Sequence, residues 1–539
     1  MSVLNVAFAQ TNPVVGDVEH NLELILSAAS EVADRADVLI TGELALSGYP
    51  MGDLSYRADI IESSMTALKK LIAATGEQTY SNLVFVVGHI SPAAASKATA
   101  QSSLAIAHNS ASVISNGELI GTYHKQTLPN YDVFDDWRNF VPGHEELTFS
   151  VKGRLCAVAI CEDIWVKDAK RSQALQDKGV ELLTVLNGSP YTRSKQRERI
   201  DAAKQFQRGF DLAYANLSGA QDELVFDGRS FYLDSTGSEI FHAPFEQGVY
   251  LAQQADLLQT QQSEKAVLWS VLVEGLRQYC LKTGQHSIVL GLSGGIDSAV
   301  CAALACEAIG SENVIGVALP SRYSSDHSLS DAEELAKNFE LHYRVLPIEK
   351  AHRAFEETME FSPLAAENLQ ARIRAVFLMG ISNTEGALLL STGNKSEIAV
   401  GYSTMYGDAA GGFAPIKDVF KTDVWELARW HNHTGDYPLI PIGSIDKPPS
   451  AELRPGQVDS DSLPDYGVLD QILRLLIEES ATIEQVVASG FNALEVERIE
   501  GLIRASEWKR SQGAVGTKTT AVSFGTGRRI PLTTRFRKL

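Results

Sequence analysis

Short apolar runs recur along the chain at spacings that alternate with helical patterning, and this alternation predicts an α/β protein. In the first half, strands are predicted over residues 4–10, 38–41, 83–89, 104–108, 155–161, 182–186 and 229–234, with helices over 21–34 and 60–75. Residues 251–263 are polar and glutamine-rich, and read as a linker between domains at 1–250 and 264–539. An amphipathic helix then opens at Glu264 and stops at Gly284. Beyond it, predicted strands at 287–292, 314–320, 343–347 and 387–391 alternate with helices, the pattern of a doubly wound parallel sheet with ligand-facing loops at the carboxyl ends of its strands.

Length and composition narrow this picture. A chain of 539 residues exceeds one core and suggests two or three domains. No stretch of 18 or more apolar residues is present to cross a membrane, and the first ten residues lack the basic start of a signal peptide, so a cytoplasmic protein is expected. Five cysteines without paired spacing give neither a disulfide framework nor a metal-site pattern. The net charge, 47 basic minus 67 acidic or −20, argues against a nucleic-acid partner, although the tail over 509–539 is basic.

The stretch with the most chemistry is SGGIDS (293–298), between an aliphatic strand and an alanine-rich helix over 299–309. Two glycines at a strand-to-helix turn let the backbone approach a ligand and aim unpaired N–H groups at one point, which suits phosphate. Ser293 and Ser298 add hydroxyls, and Asp297 adds a carboxylate able to hold a divalent cation. The Gly-Lys-Ser/Thr of a loop gripping a transferring γ-phosphate is missing. In the first half, Glu43 closes a strand just before a turn, Lys125 opens the stretch KQTLPNYDVFDDW, and Cys161 closes an apolar strand. A free thiol is only a few per cent thiolate at pH 7, so Cys161 needs a neighbouring cation or base, and one close positive charge is expected to lower its pKa by about 1.5 units. Cys156, five residues earlier on the same predicted strand, is expected to be buried and to face the opposite side, with Cys280, Cys301 and Cys306 also in the core.

SGGIDS resembles the pyrophosphate loop of the ATP pyrophosphatase superfamily, which cleaves ATP between the α and β phosphates to activate a carboxylate as an adenylate. The first half resembles the nitrilase (carbon–nitrogen hydrolase) family, with its αββα sandwich. That likeness implies Glu43 as general base, Lys125 as the group stabilising the tetrahedral oxyanion, and Cys161 as nucleophile. LPNYDVFDD (128–136), CEDIW (161–165) and NGSPY (187–191) sharpen the likeness to the glutaminase domain of glutamine-dependent NAD synthetases and imply Tyr131, Ser189 and Lys195 as glutamine-binding. One departure stands out: Asp136 replaces the family's glutamate, so its contact with the lysine or the substrate amine is expected to be longer or bridged by water.

ENLQARIR (367–374), STGNKSE (391–397), YGDAAGG (406–412) and PSAEL (449–453), in that order, resemble the synthetase domain of the same family. The resemblance implies ATP at Gly291, Leu292, Ser293, Gly294, Gly295, Ile296, Asp297, Ser298 and Thr392, with Mg²⁺ at Asp297 and Glu397. It implies deamido-NAD at Asn368, Arg372, Glu397, Asp408, Lys417, Lys421 and Lys509. The glycine-rich run 400–412, with Lys417, Asp418 and Lys421 just beyond it, is expected to fold over a phosphorylated ligand, and 459–463 to belong to a mobile segment. A homo-oligomer formed through the synthetase domain, and a sealed passage for ammonia, are also expected.

Overall fold

The computed structural model describes residues 4–93, 106–166, 169–252, 262–435, 437–450 and 452–534, and its chain divides into two compact units, 1–261 and 262–539.

Two six-stranded sheets build the first unit. One runs in the order Gly248–Leu251, Val6–Gln10, Val38–Thr41, Val84–Pro92, Ala107–Ser115, Glu118–His124. The other runs Glu239–His242, Phe231–Leu233, Asp211–Asn216, Leu182–Asn187, Arg154–Ile160, Thr148–Val151. Period-two alternation explains the layering. Val6, Phe8, Val38 and Ile40 of the first sheet meet Cys156, Val158, Ile160, Leu182 and Leu186 of the second in one core. Their neighbours Ala7, Ala9 and Leu39 pack instead on helices Val18–Val32 and Ala58–Ala74. Ala157, Ala159, Leu183 and Val185 likewise cover helices Ala169–Asp177 and Lys195–Phe206 through Leu175, Ala203 and Phe206. Strands buried on both faces read as near-continuous apolar runs, which is why these were visible in the sequence. The result is the expected αββα sandwich.

Several strands escaped the sequence reading. The run expected at 104–108 has 104–105 outside the described residues, and its strand continues to Ser115 before turning back through Glu118–His124. The hairpin Ser218–Gln221 with Leu224–Asp227 is also additional. The first sheet's edge strand carries Leu251, paired with Ala7, into the expected linker, whose residues 253–261 lie outside those described.

The second unit holds a four-stranded, wholly parallel sheet ordered His342–Val345, Val314–Ala318, Ile288–Gly291, Leu388–Leu389. Helix Glu264–Thr283 precedes it and ends at Gly284, whose φ of 69° is the left-handed cap expected there. Helix Ile296–Ile309 follows the central strand through the glycine turn. Pro363–Glu385 covers the sheet through Leu369 and Ile373, which pack on Val289, Val317 and Leu389. A helical subcluster, Tyr466–Leu473 with Ala493–Ala505, packs its own apolar core around Leu469, Ile472 and Ile499.

Two expectations are corrected here. Residues 459–463 are anchored, since Asp459 is buried and accepts hydrogen bonds from Tyr402 Oη at 3.1 Å and Tyr466 Oη at 2.9 Å. The basic tail packs into the fold: Val515 bridges Phe413, and Thr517, Lys518, Thr519 and Thr520 are buried. Asp418 faces that tail rather than a ligand loop, accepting from the N–H groups of Thr519 and Thr520 at 2.8 Å and pairing with the fully buried Lys395 at 2.9 Å. Among the described residues, no helix is long and apolar enough to cross a membrane.

Candidate functional site

In the first unit three strand ends converge. Glu43 lies two residues past the strand Val38–Thr41, Lys125 follows Glu118–His124 directly, and Cys161 follows Arg154–Ile160 directly. The Lys125 Nζ donates to Glu43 Oε1 at 2.6 Å, and the two side chains have no exposed surface. Glu43 is held further by Asn109 Nδ2 at 2.7 Å and by the Gly188 N–H, which donates to Oε2 at 3.0 Å. Buried charges of this kind persist only when paired and hydrogen-bonded.

Lys125 also donates to Asp136 Oδ2 at 2.6 Å. The shorter acid therefore makes a direct contact, contrary to the expectation of a longer or water-bridged one. The chain itself closes the gap: the Asp136 N–H donates to Pro129 O at 3.1 Å, drawing the acid inward at the start of the short helix Asp136–Asn139. Two carboxylates raise the Lys125 pKa well above the usual lysine range against the opposing effect of burial, so the ammonium stays charged.

Cys161 is buried and takes φ 42°, a left-handed conformation costly for a residue with a β-carbon. The strand stops at Ile160, so the alternation argument that set Cys161 opposite Cys156 fails. Both sulfurs lie in the core between the sheets. The thiol pKa is raised well above its normal value, chiefly by burial and next by Glu43, with Lys125 opposing. The expected lowering is therefore reversed in the free protein: Lys125 does not outweigh desolvation and the carboxylates of Glu43, Glu162 and Asp136. The arrangement suits a thiol that passes its proton to Glu43 as it attacks, rather than a standing thiolate.

Around the cysteine, half-exposed Tyr131 donates to Glu162 Oε2 at 2.9 Å. Lys195 Nζ sits 4.4 Å from the ring centroid of Trp165 and 3.1 Å from Glu198. Ser189 is buried, and its hydroxyl accepts from Arg199 Nε at 3.0 Å. Glu162 and Trp165, given no role from the sequence, belong to the CEDIW run that begins at Cys161. Asn109 carried no sequence signal, because the hairpin that presents it was not foreseen.

In the second unit, Gly291 ends the central strand and Gly295 caps the helix that begins at Ile296. Gly294 has φ 74°, and a Cβ there would lie 2.3 Å from Ser328 O, so only glycine fits. The Gly295 N–H donates to Ser293 Oγ at 3.2 Å, the Ser293 and Ser298 hydroxyls are 3.1 Å apart, and Leu292 N–H donates to Val317 O at 2.9 Å. Thr392 follows the neighbouring strand and is half-buried.

Asp297 and Glu397 share one counter-ion, the buried Lys421, which donates to Asp297 and, at 3.2 Å, to Glu397 Oε1. Asn394, which the sequence reading passed over inside STGNKSE, caps helix Lys395–Val400 through its Oδ1 and donates to Asp297 Oδ1 at 3.0 Å. Burial, and then proximity to Asp297, push the Glu397 carboxyl up to about 8 despite Lys421.

The glycine-rich loop after Val400 gathers four of the residues expected near deamido-NAD. Asn368 Oδ1 accepts from Thr404 Oγ1 at 2.8 Å, and Arg372 Nε donates to Met405 O at 3.2 Å, as their i,i+4 spacing requires. Asp408 Oδ1 accepts from Thr404 N–H at 2.7 Å, and Lys509 Nζ donates to Gly401 O and Ser403 O, both at 2.7 Å. Lys417 instead donates to Ala514 O at 2.5 Å, on the side of the tail, and Lys421 belongs with the acidic pair.

Known proteins divide along the same line. The carbon-nitrogen hydrolase family matches residues 5–262, and the NAD synthase family matches residues 268–513. The glutamine-dependent NAD(+) synthetase of Thermotoga maritima is 38% identical, with all of both chains covered, and that of Synechocystis sp. is 40% identical over 99% of each. A solved glutamine-dependent NAD+ synthetase from Acinetobacter baumannii, in complex with adenosine diphosphate, superposes with a TM-score of 0.74 at 36% identity over 98% of each chain. The corresponding protein of Cytophaga hutchinsonii, at 22% identity and TM-score 0.83, shares the fold. With relatives this similar along its whole length, the chain belongs to the glutamine-dependent NAD(+) synthetases.

Proposed function

We propose that this chain converts deamido-NAD, ATP and glutamine to NAD, AMP, pyrophosphate and glutamate. The observation that carries the reading is the fully buried Glu43–Lys125 pair, residues 82 apart in sequence and 2.6 Å apart in space, beside Cys161.

In the first unit Glu43 takes the thiol proton while the Cys161 sulfur attacks the glutamine amide carbon. Lys125, kept cationic by Glu43 and Asp136, faces the oxyanion of the tetrahedral adduct. Collapse forms the thioester, and the proton held on Glu43 passes to the departing nitrogen, which leaves as ammonia. Water, deprotonated by Glu43, then hydrolyses the thioester and releases glutamate. Tyr131, Ser189 and Lys195 hold the glutamine, with the Lys195 ammonium suited to its α-carboxylate.

In the second unit the nicotinate carboxylate of deamido-NAD attacks the α-phosphorus of ATP and expels pyrophosphate. Ammonia attacks the resulting carboxyl adenylate and AMP departs. The turn over 291–298, with Thr392, holds the nucleotide through backbone N–H groups and hydroxyls. Asn368, Arg372, Asp408, Lys417, Lys421 and Lys509 are assigned to deamido-NAD; Asn368, Arg372 and Lys509 all contact the loop that carries Asp408. Asp297 and Glu397 fit Mg²⁺, since they are two hard oxygen donors competing in a buried place for a single ammonium. When bound there, Mg²⁺ supplies charge neutralisation to the departing pyrophosphate. A cytoplasmic homo-oligomer is the form we assign.

Incubation with deamido-NAD, ATP and Mg²⁺, plus glutamine or ammonium, tests the reading. NAD and AMP should form in equal amounts with either nitrogen source. Formation of ADP, or no NAD from either source, refutes it.

A further inference from the structure

Asp163 lies outside the Glu43, Lys125 and Cys161 set, yet it connects two of its members. Its side chain has no exposed surface. Oδ2 accepts from the Ile160 N–H at 2.9 Å and from Tyr123 Oη at 2.7 Å. Oδ1 accepts from the Thr127 N–H at 2.9 Å and the Gln126 N–H at 3.2 Å. Ile160 immediately precedes Cys161; Gln126 and Thr127 immediately follow Lys125; Tyr123 stands two residues before that lysine.

Four donors fill the lone-pair capacity of one carboxylate. Arg171 stands behind it, its Nη1 3.6 Å from Oδ2, while it pairs with Glu146 and donates to Tyr123 Oη at 2.8 Å. An ordinary capping role for the short helix Cys161–Ile164 would explain the bond from Ile160 and nothing more. The bonds from Gln126 and Thr127 cross 36 or 37 positions and serve a different element, the turn that carries the lysine. Hydrogen bonds to a charged acceptor are about twice as strong as neutral ones, so this junction is stiff.

We propose that Asp163 is a positioning residue of the amide-cleaving site, one carboxylate that fixes the Cys161 elbow against the Lys125 turn. The proposal rests on the roles given above to Cys161 and Lys125. A displacement of about 1 Å between reacting groups costs on the order of 10²-fold in rate. Asparagine at this position can accept on one side only, and must set an N–H against the donors on the other.

Asp163→Asn in the full-length protein is the test, with Tyr123→Phe as the milder variant should the first not fold. Glutaminase kcat is expected to fall by about 10²-fold in Asp163→Asn with KM changing far less. The pH curve for iodoacetamide labelling of Cys161 should move, and ammonium-driven synthesis should stay at the wild-type level. Tyr123→Phe should shift kcat and the labelling curve in the same directions by a smaller factor. Wild-type kcat and an unmoved labelling curve in whichever variant folds would overturn the proposal, even if the melting temperature drops. Cys161→Ala, run alongside, separates the two readings: persistent glutamine turnover in that variant removes the assigned nucleophile, independently of Asp163.

Discussion

Lys125 and Asp136 form an ion pair of 2.6 Å in which the ammonium is wholly buried and the carboxylate nearly so. The pair does two things at once, neutralising a lysine that Glu43 alone would have to balance and fixing it at the mouth of the Cys161 elbow. Burial raises the Asp136 pKa and nearby Glu43 adds to the rise, while Lys125 and a hydrogen bond from Tyr49 oppose it.

Asp136→Asn removes one partner of Lys125 and leaves a buried ammonium half-compensated. The variant should lose about 3–5 kcal/mol of stability, read by chemical denaturation. It should also lose most of its glutaminase kcat, while ammonium-driven synthesis by folded protein is retained.

The thiol of Cys161 should be slow to alkylate at neutral pH. Its raised pKa predicts iodoacetamide labelling that keeps climbing beyond pH 9 without a plateau below it. Lys125→Met, which removes a charge favouring the thiolate while leaving Glu43 and Asp136, should push the curve further alkaline. Peptide mapping of labelled protein across pH provides the measurement.

Gly294→Ala places a Cβ 2.3 Å from Ser328 O at φ 74°. The loop must distort, so NAD synthesis from ammonium should fall by on the order of 10²-fold, whereas glutamine hydrolysis measured alone should persist. Parallel assays of glutamate and NAD distinguish the two.

His89 is buried, hydrogen-bonded to Ser112 Oγ at 2.8 Å and to Ile90 O at 3.0 Å, with its pKa lowered to about 4 by burial. The unfolded chain takes up a proton at this ring near pH 6.5, so its contribution to stability is present above that pH and lost as pH falls toward 4. Integrated over that window the loss is on the order of 3 kcal/mol. His89→Gln should therefore show a shallower decline of unfolding free energy between pH 6.5 and 4 than the wild type.

What the sequence disclosed follows from where strands are buried. Strands such as 154–160 and 182–187 are covered on both faces, so their apolar runs, and the candidate site residues at their ends, stood out. Cys161, Glu43 and the turn at 293–298 are all strand-end positions, legible because chemistry sits where a parallel strand stops.

Other features depend on contacts that a linear reading cannot supply. The reach of Asp136 is set by a backbone hydrogen bond to Pro129, not by side-chain length. Thiol acidity at Cys161 is set by desolvation, which counts neighbours in three dimensions. Lys518 looked like part of a basic tail but donates to Thr520 O at 2.8 Å and Ala521 O at 3.0 Å inside the fold. Asp418, grouped by adjacency with Lys417 and Lys421, binds the tail because Thr519 and Thr520 return to it across about a hundred positions.

The most direct measurement is NAD formation by Cys161→Ala with glutamine or with ammonium as the nitrogen source. The account predicts no detectable NAD from glutamine and an undiminished rate from ammonium. Glutamine-supported synthesis equal to that of the wild type would contradict it.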